Sequence, residues 1–182
     1  MKKALFIMLS AALIVCATVA GTLAWLTDKT EPVVNTFTVG DINITLTESE
    51  DLDLKMVPGQ SIKKDPKVTV KAGSEACWLF VKVDKSVNFD GFMTFEMADG
   101  WTELTVGSGV YYRNVGDESA VVATDAPFNV ISGNKVTVKN TVTKADLKGL
   151  TEATYPTLTL TAYAVQRAGF ENAANAWAEA SK

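Results

Sequence analysis

The 182 residues contain no histidine, and that single absence removes most hydrolytic chemistry. A zincin needs two imidazoles one helical turn apart beside a glutamate base. Serine and cysteine triads need an imidazole to carry the proton. A Ser-Lys dyad does not require one, but no Ser-x-x-Lys stands in a helix-start setting after the leader. Cysteine is nearly absent too, with Cys16 in the leader and Cys77 beyond it. The mature chain therefore has no intramolecular disulfide, and Cys77, set in an apolar run, reads as a small buried residue. There is no excess of basic charge. The net charge is -4 with both signs scattered, which offers no face for nucleic acid or anionic lipid. Internal repeats, low-complexity tracts and glycine-rich phosphate loops are also missing, and the composition calls for no cofactor.

What is present begins with a leader. Met1-Lys2-Lys3 is a basic start, Ala4 to Gly21 is an uncharged and mostly apolar run, and Thr22-Leu23-Ala24 presents small residues where a signal peptidase reads them. This predicts a signal peptide over 1–24, cut between Ala24 and Trp25, with Ala20 as the second site. Two alternatives stand beside it: an uncleaved N-terminal anchor, given the length of the run, and a lipid anchor on Cys16, whose preceding Val15 is large for that processing. With cleavage, no membrane span remains and the protein is secreted.

Residues 25–182 read as one domain of short β runs between turn signals, an all-β sandwich closed by a C-terminal helix over 169–181. Ile42, Ile44 and Leu46 alternate with polar residues. Pro58-Gly59 marks a turn, and Ser61 to Lys71 resumes as a strand with Val68 and Val70 on one face. Cys77 to Val83 is apolar on both faces, as a central strand is. Gly109 to Asn114, Ala120 to Thr124, Phe128 to Ile131 and Lys135 to Lys139 continue the series. One helical turn falls in Thr143 to Leu150, and Tyr155 to Val165 is the longest strand. In the terminal helix Phe170, Ala173, Ala174 and Trp177 form the docking stripe.

A leader ending Ala20-Gly21-Thr22-Leu23-Ala24, then Trp25-Leu26-Thr27-Asp28, then Asn35-Thr36-Phe37-Thr38-Val39-Gly40-Asp41-Ile42, resembles the TasA/camelysin group of exported proteins from Gram-positive bacteria. Val57-Pro58-Gly59 leading into Val68-Thr69-Val70, and Ala162 to Gln166 followed by Gly169-Phe170, are similar to the same group. About Asp84 to Leu150 carries no such likeness. The resemblance implies a jelly-roll-like sandwich, release by a SipW-type signal peptidase, and a place in the extracellular or biofilm matrix or at the cell surface. It further implies self-association into fibres, or association with related matrix proteins, by strand addition through Trp25, Leu26, Val33, Val34 and Phe37. The same residues can instead fold back as the chain's own edge strand.

Other chemistry is thinly represented. Asp90, Glu96, Asp99 and Glu103, among aromatic residues, are the only carboxylates placed for glycosidase-type work, and as turn and surface residues they specify no geometry. Glu48, Glu50, Asp51 and Asp53 lack the order of a calcium loop, and Asn43-Ile44-Thr45 is a glycosylation sequon inside a strand. The reading is a non-enzymatic structural protein, with no catalytic, cofactor or metal residues. The alternative is a monomeric ligand-binding module, for carbohydrate or adhesion, using Trp78, Trp101, Tyr111 or Tyr112.

Overall fold

The computed structural model describes residues 40–49, 55–117 and 120–182. The leader, the Ala24–Trp25 bond and the assembly residues Trp25, Leu26, Val33, Val34 and Phe37 lie outside these.

Three antiparallel sheets form the described fold. The first joins β1 (Ile44–Thr47), β3 (Lys67–Val70) and β8 (Ala126–Asn129) in the order β1-β3-β8. The second, in the order β2-β9-β5, is built from β2 (Ser61–Lys63), β5 (Met93–Thr94) and β9 (Lys135–Val138). The third, ordered β10-β4-β7-β6, contains β4 (Cys77–Lys85), β6 (Thr102–Glu103), β7 (Val110–Val115) and β10 (Leu158–Gln166). Two short helices, α1 (Phe89–Phe92) and α2 (Lys144–Lys148), lie in the connections, and α3 (Ala173–Ala180) ends the chain.

The first two sheets share one long ribbon. Its outer strand runs from β2 through Lys64-Asp65-Pro66 into β3, so the single expected strand over Ser61–Lys71 is interrupted. Proline has no N–H to give a ladder, and here Pro66 contributes only its carbonyl, accepting from Val130 N–H at 3.0 Å. Between the pairs Lys63↔Lys135 and Lys67↔Asn129, four steps along one strand face six along the other. The excess is taken up at Gly133 and Asn134, both left-handed at φ 61° and 52°. Asparagine is among the few side chains that tolerate that region.

β4 is the central strand its sequence describes. It pairs over its full length with β10 and over Cys77–Lys82 with β7. Its alternating residues feed two cores. Cys77, Leu79, Val81 and Val83 pack on one face with Val68, Val70, Val130, Ile131 and Val136 from the ribbon. Phe80, on the other face, packs with Ala173 and Ala176 of α3. There the Trp177 ring stands 5.3 Å from Phe80 and 5.1 Å from Tyr163, the latter edge-on at 89°. Such tilted aromatic pairs contribute beyond their buried area.

Three sequence expectations need correction. Ala120 to Thr124 is not a strand; Val122 is held by bonds between its backbone and Gly73 N–H and Ser74 C=O, and Ala120 N–H donates to Asp117 C=O in a local turn. Leu46 does not continue the buried face of β1, because it is 38 % exposed while Ile42 and Ile44 pack on the core. The terminal helix starts at Ala173 rather than 169, with the Asn172 side chain accepting from Asn175 N–H as its cap. That start places Ala173, Ala176, Trp177 and Ala180 on the docked stripe and turns Ala174 to solvent. The helical turn in 143–150 is present as α2, capped reciprocally by Thr143 and Asp146.

Candidate functional site

A strand edge that has no partner among the described residues, next to an apolar groove, is their most distinctive surface. β1 covers the outer edge of β3 from Ile44↔Val70 to Thr47↔Lys67. β2, the continuation of that strand, pairs only inward with β9 among the described residues. Beside it opens a groove of about 650 Å³. Met56, Ile62, Phe89, Met93, Val136, Leu147, Pro156 and Leu158 make its apolar lining; Lys55, Lys64, Tyr155 and Thr157 complete it. Tyr155 is half exposed there.

The boundary between the covered and uncovered halves is tied by polar contacts. The Asp65 carboxylate accepts from the Ser49 hydroxyl and, at 3.1 Å, from Ser49 N–H, while Lys63 Nζ lies 3.0 Å away. These bonds, Ser49 hydroxyl first, hold the Asp65 carboxyl far below the usual carboxylate range. Lys64 Nζ pairs with Glu48 at 2.6 Å. Glu48 thus serves as an ion-pair partner, while Glu50, Asp51 and Asp53 lie outside the described residues. No group of three metal-ligating side chains occurs among the described residues.

The other singled-out residues are dispersed. Asp90 pairs with Lys85 at 2.7 Å, and Glu103 Oε1 accepts from Gly107 N–H at 3.0 Å, closing a turn. Asn43 Nδ2 donates to Asp41. Trp78 and Tyr112 belong to the aromatic core around Phe80, Tyr111 packs against the other core, and Trp101 Nε1 donates to Asn129 C=O at 2.9 Å. The four aromatics named for a ligand-binding module are thus divided between the two faces of the sheet. Cys77 is fully buried, and burial pushes its thiol up to about 11.

Sequence reasoning passed over Arg113. Alternation in Val110-Tyr-Tyr-Arg-Asn-Val115 puts it on the face shared by Tyr111 and Val115, a signal carried by the residue pattern itself. Its guanidinium carbon lies 3.9 Å from the Phe128 ring centroid and 5.4 Å from that of Trp101. No family model, curated protein or solved structure matches this chain.

Proposed function

We propose that this is a secreted, non-enzymatic structural protein of a Gram-positive cell surface or extracellular matrix, with a jelly-roll-like sandwich, that assembles into fibres by strand addition. A SipW-type peptidase would release it between Ala24 and Trp25. The mature N-terminal strand, carrying Trp25, Leu26, Val33, Val34 and Phe37, would then add to the β2 edge of another copy and set its apolar side chains in the adjoining groove. Among the described residues the outer edge of β2, beside that groove, has no partner strand, and this carries the reading. An unpaired row of N–H and C=O groups templates another strand. Strand addition gains backbone hydrogen bonds from such an edge and side-chain specificity from pockets alongside it.

The test is size-exclusion chromatography and electron microscopy of the chain beginning at Trp25, over a concentration series. Multimers that grow with concentration and vanish when residues 25–37 are deleted are the expected outcome. A monomer at every concentration would remove the assembly reading and favour an extracellular ligand-binding module.

A further inference from the structure

At another surface, a second pocket of about 350 Å³ is polar where the groove is apolar, and Arg113, Asp99, Asn129 and Ser132 line it. Arg113 reaches it from an inward-facing position. Its Cα partner across the sheet is the fully buried Leu79, and its neighbours on that face, Tyr111 and Val115, pack into the core. The guanidinium is clamped between Phe128 and Trp101. Gly100 lies against Arg113, since a Cβ there would stand 2.9 Å from Arg113 Nη2, and its φ of +84° favours glycine. The loop bearing Trp101 is tied to β8 through the Asn129 carbonyl.

Among the described residues this group has no hydrogen-bond acceptor. Arg113 Nε is buried with no hydrogen-bond partner, and none of the ion pairs among the described residues includes it. An aliphatic side chain would fill the same space without the desolvation that a guanidinium suffers, and that desolvation lowers the Arg113 pKa. Asp99 shares the pocket, yet no ion pair joins it to Arg113.

We infer that this pocket binds a hydroxylated carboxylate of the uronic acid class, with the ligand carboxylate on the Nη1 and Nη2 edge of Arg113, whose Nε edge is buried, and its hydroxyls on Asp99, Asn129 and Ser132. A planar guanidinium held on aromatic faces is preorganised for two parallel bonds to a carboxylate. A bare anion would meet repulsion from Asp99. A ligand with hydroxyls beside its carboxylate instead gives Asp99 a donor to accept from, and spans the gap that the two residues leave open. This inference does not depend on fibre assembly, because it uses neither β2 nor the N-terminal strand.

The experiment is isothermal titration calorimetry of the full chain with D-glucuronate, D-glucose and sulfate at matched ionic strength. Glucuronate is expected to bind saturably and at least about ten-fold more tightly than either control. Arg113→Gln is expected to weaken glucuronate by about ten-fold or more. Since that variant alters a residue beside the core, Asp99→Ala provides a second arm at an exposed position. It should weaken glucuronate by about five-fold, from the lost charge-assisted bond, without weakening sulfate. Glucuronate binding no tighter than glucose or sulfate overturns the inference. So does glucuronate binding that is unchanged in Asp99→Ala or in folded Arg113→Gln.

Discussion

One strand passes through two environments, and the contrast carries the functional reading. In its β3 half, Val68 and Val70 are fully buried, with β1 on one side and β8 on the other. In its β2 half, Ile62 is buried at 6 % exposure yet borders an open groove, and among the described residues only β9 pairs with it. The residue types hardly differ: Ser-Ile-Lys in one and Lys-Val-Thr-Val in the other. The neighbour differs. A closed edge contributes to folding, while in the assembly proposed above the other would give part of its bonding capacity to another chain.

Three substitutions probe that contrast, beginning with the largest effect. Val68→Ala removes two methyl groups from a position without solvent contact, and should cost about 2–3 kcal/mol in urea unfolding. A loss below about 0.5 kcal/mol would mean that the β3 half is no better packed than the β2 half. Ile62→Lys should cost less, about 1–2 kcal/mol, since the groove lets a long side chain carry its amine to water. Its main result should be loss of multimers in sedimentation velocity at concentrations where the unaltered chain associates. If Ile62→Lys assembles normally, the groove is not the acceptor.

The smallest effect belongs to the boundary. The Asp65 carboxyl titrates below its ordinary 3.8 in the folded protein. Its contribution is therefore complete above the unfolded value and lost as pH falls through the folded one. The stability difference between the unaltered chain and Asp65→Asn should be constant from neutral pH down to about pH 5 and shrink below 3.8. A difference that grows on acidification would show that Asp65 is not held ionised by Ser49 and Lys63. Being surface contacts, these bonds contribute little.

Much of the fold is legible in the sequence because it rests on local period. β4 is apolar on both faces and is covered on both. Lys135–Val138 alternates and is a strand, and the threonines of β10 mark its exposed positions at Thr159 and Thr161. Misreadings arise where tertiary geometry overrides pattern. Ala120 to Thr124 has strand-forming residues, but Val122 bonds with the short Gly73–Ser74 turn rather than with a strand. The phase of α3 follows from its Asn172 cap, and the later start exchanges Ala174 for Ala176 on the buried stripe. The candidate groove was not legible at all. Its lining comes from separated stretches, among them Met56, Ile62, Phe89, Val136, Leu147 and Pro156, which only the tertiary fold brings together. Arg113 was legible in principle, as a charge in an apolar alternation, and its aromatic clamp was not.

The terminal helix has a consequence for valence. By filling the aromatic side of β4 with Ala173, Ala176 and Trp177, α3 takes away the broad flat face by which two sheets could stack. In the assembly proposed above, contacts between copies would thereby be directed to strand edges, which are narrow and polar along the backbone. A subunit joined only at its edges grows as a thread, and lateral bundling would have to be supplied by something other than the sheet's own apolar side.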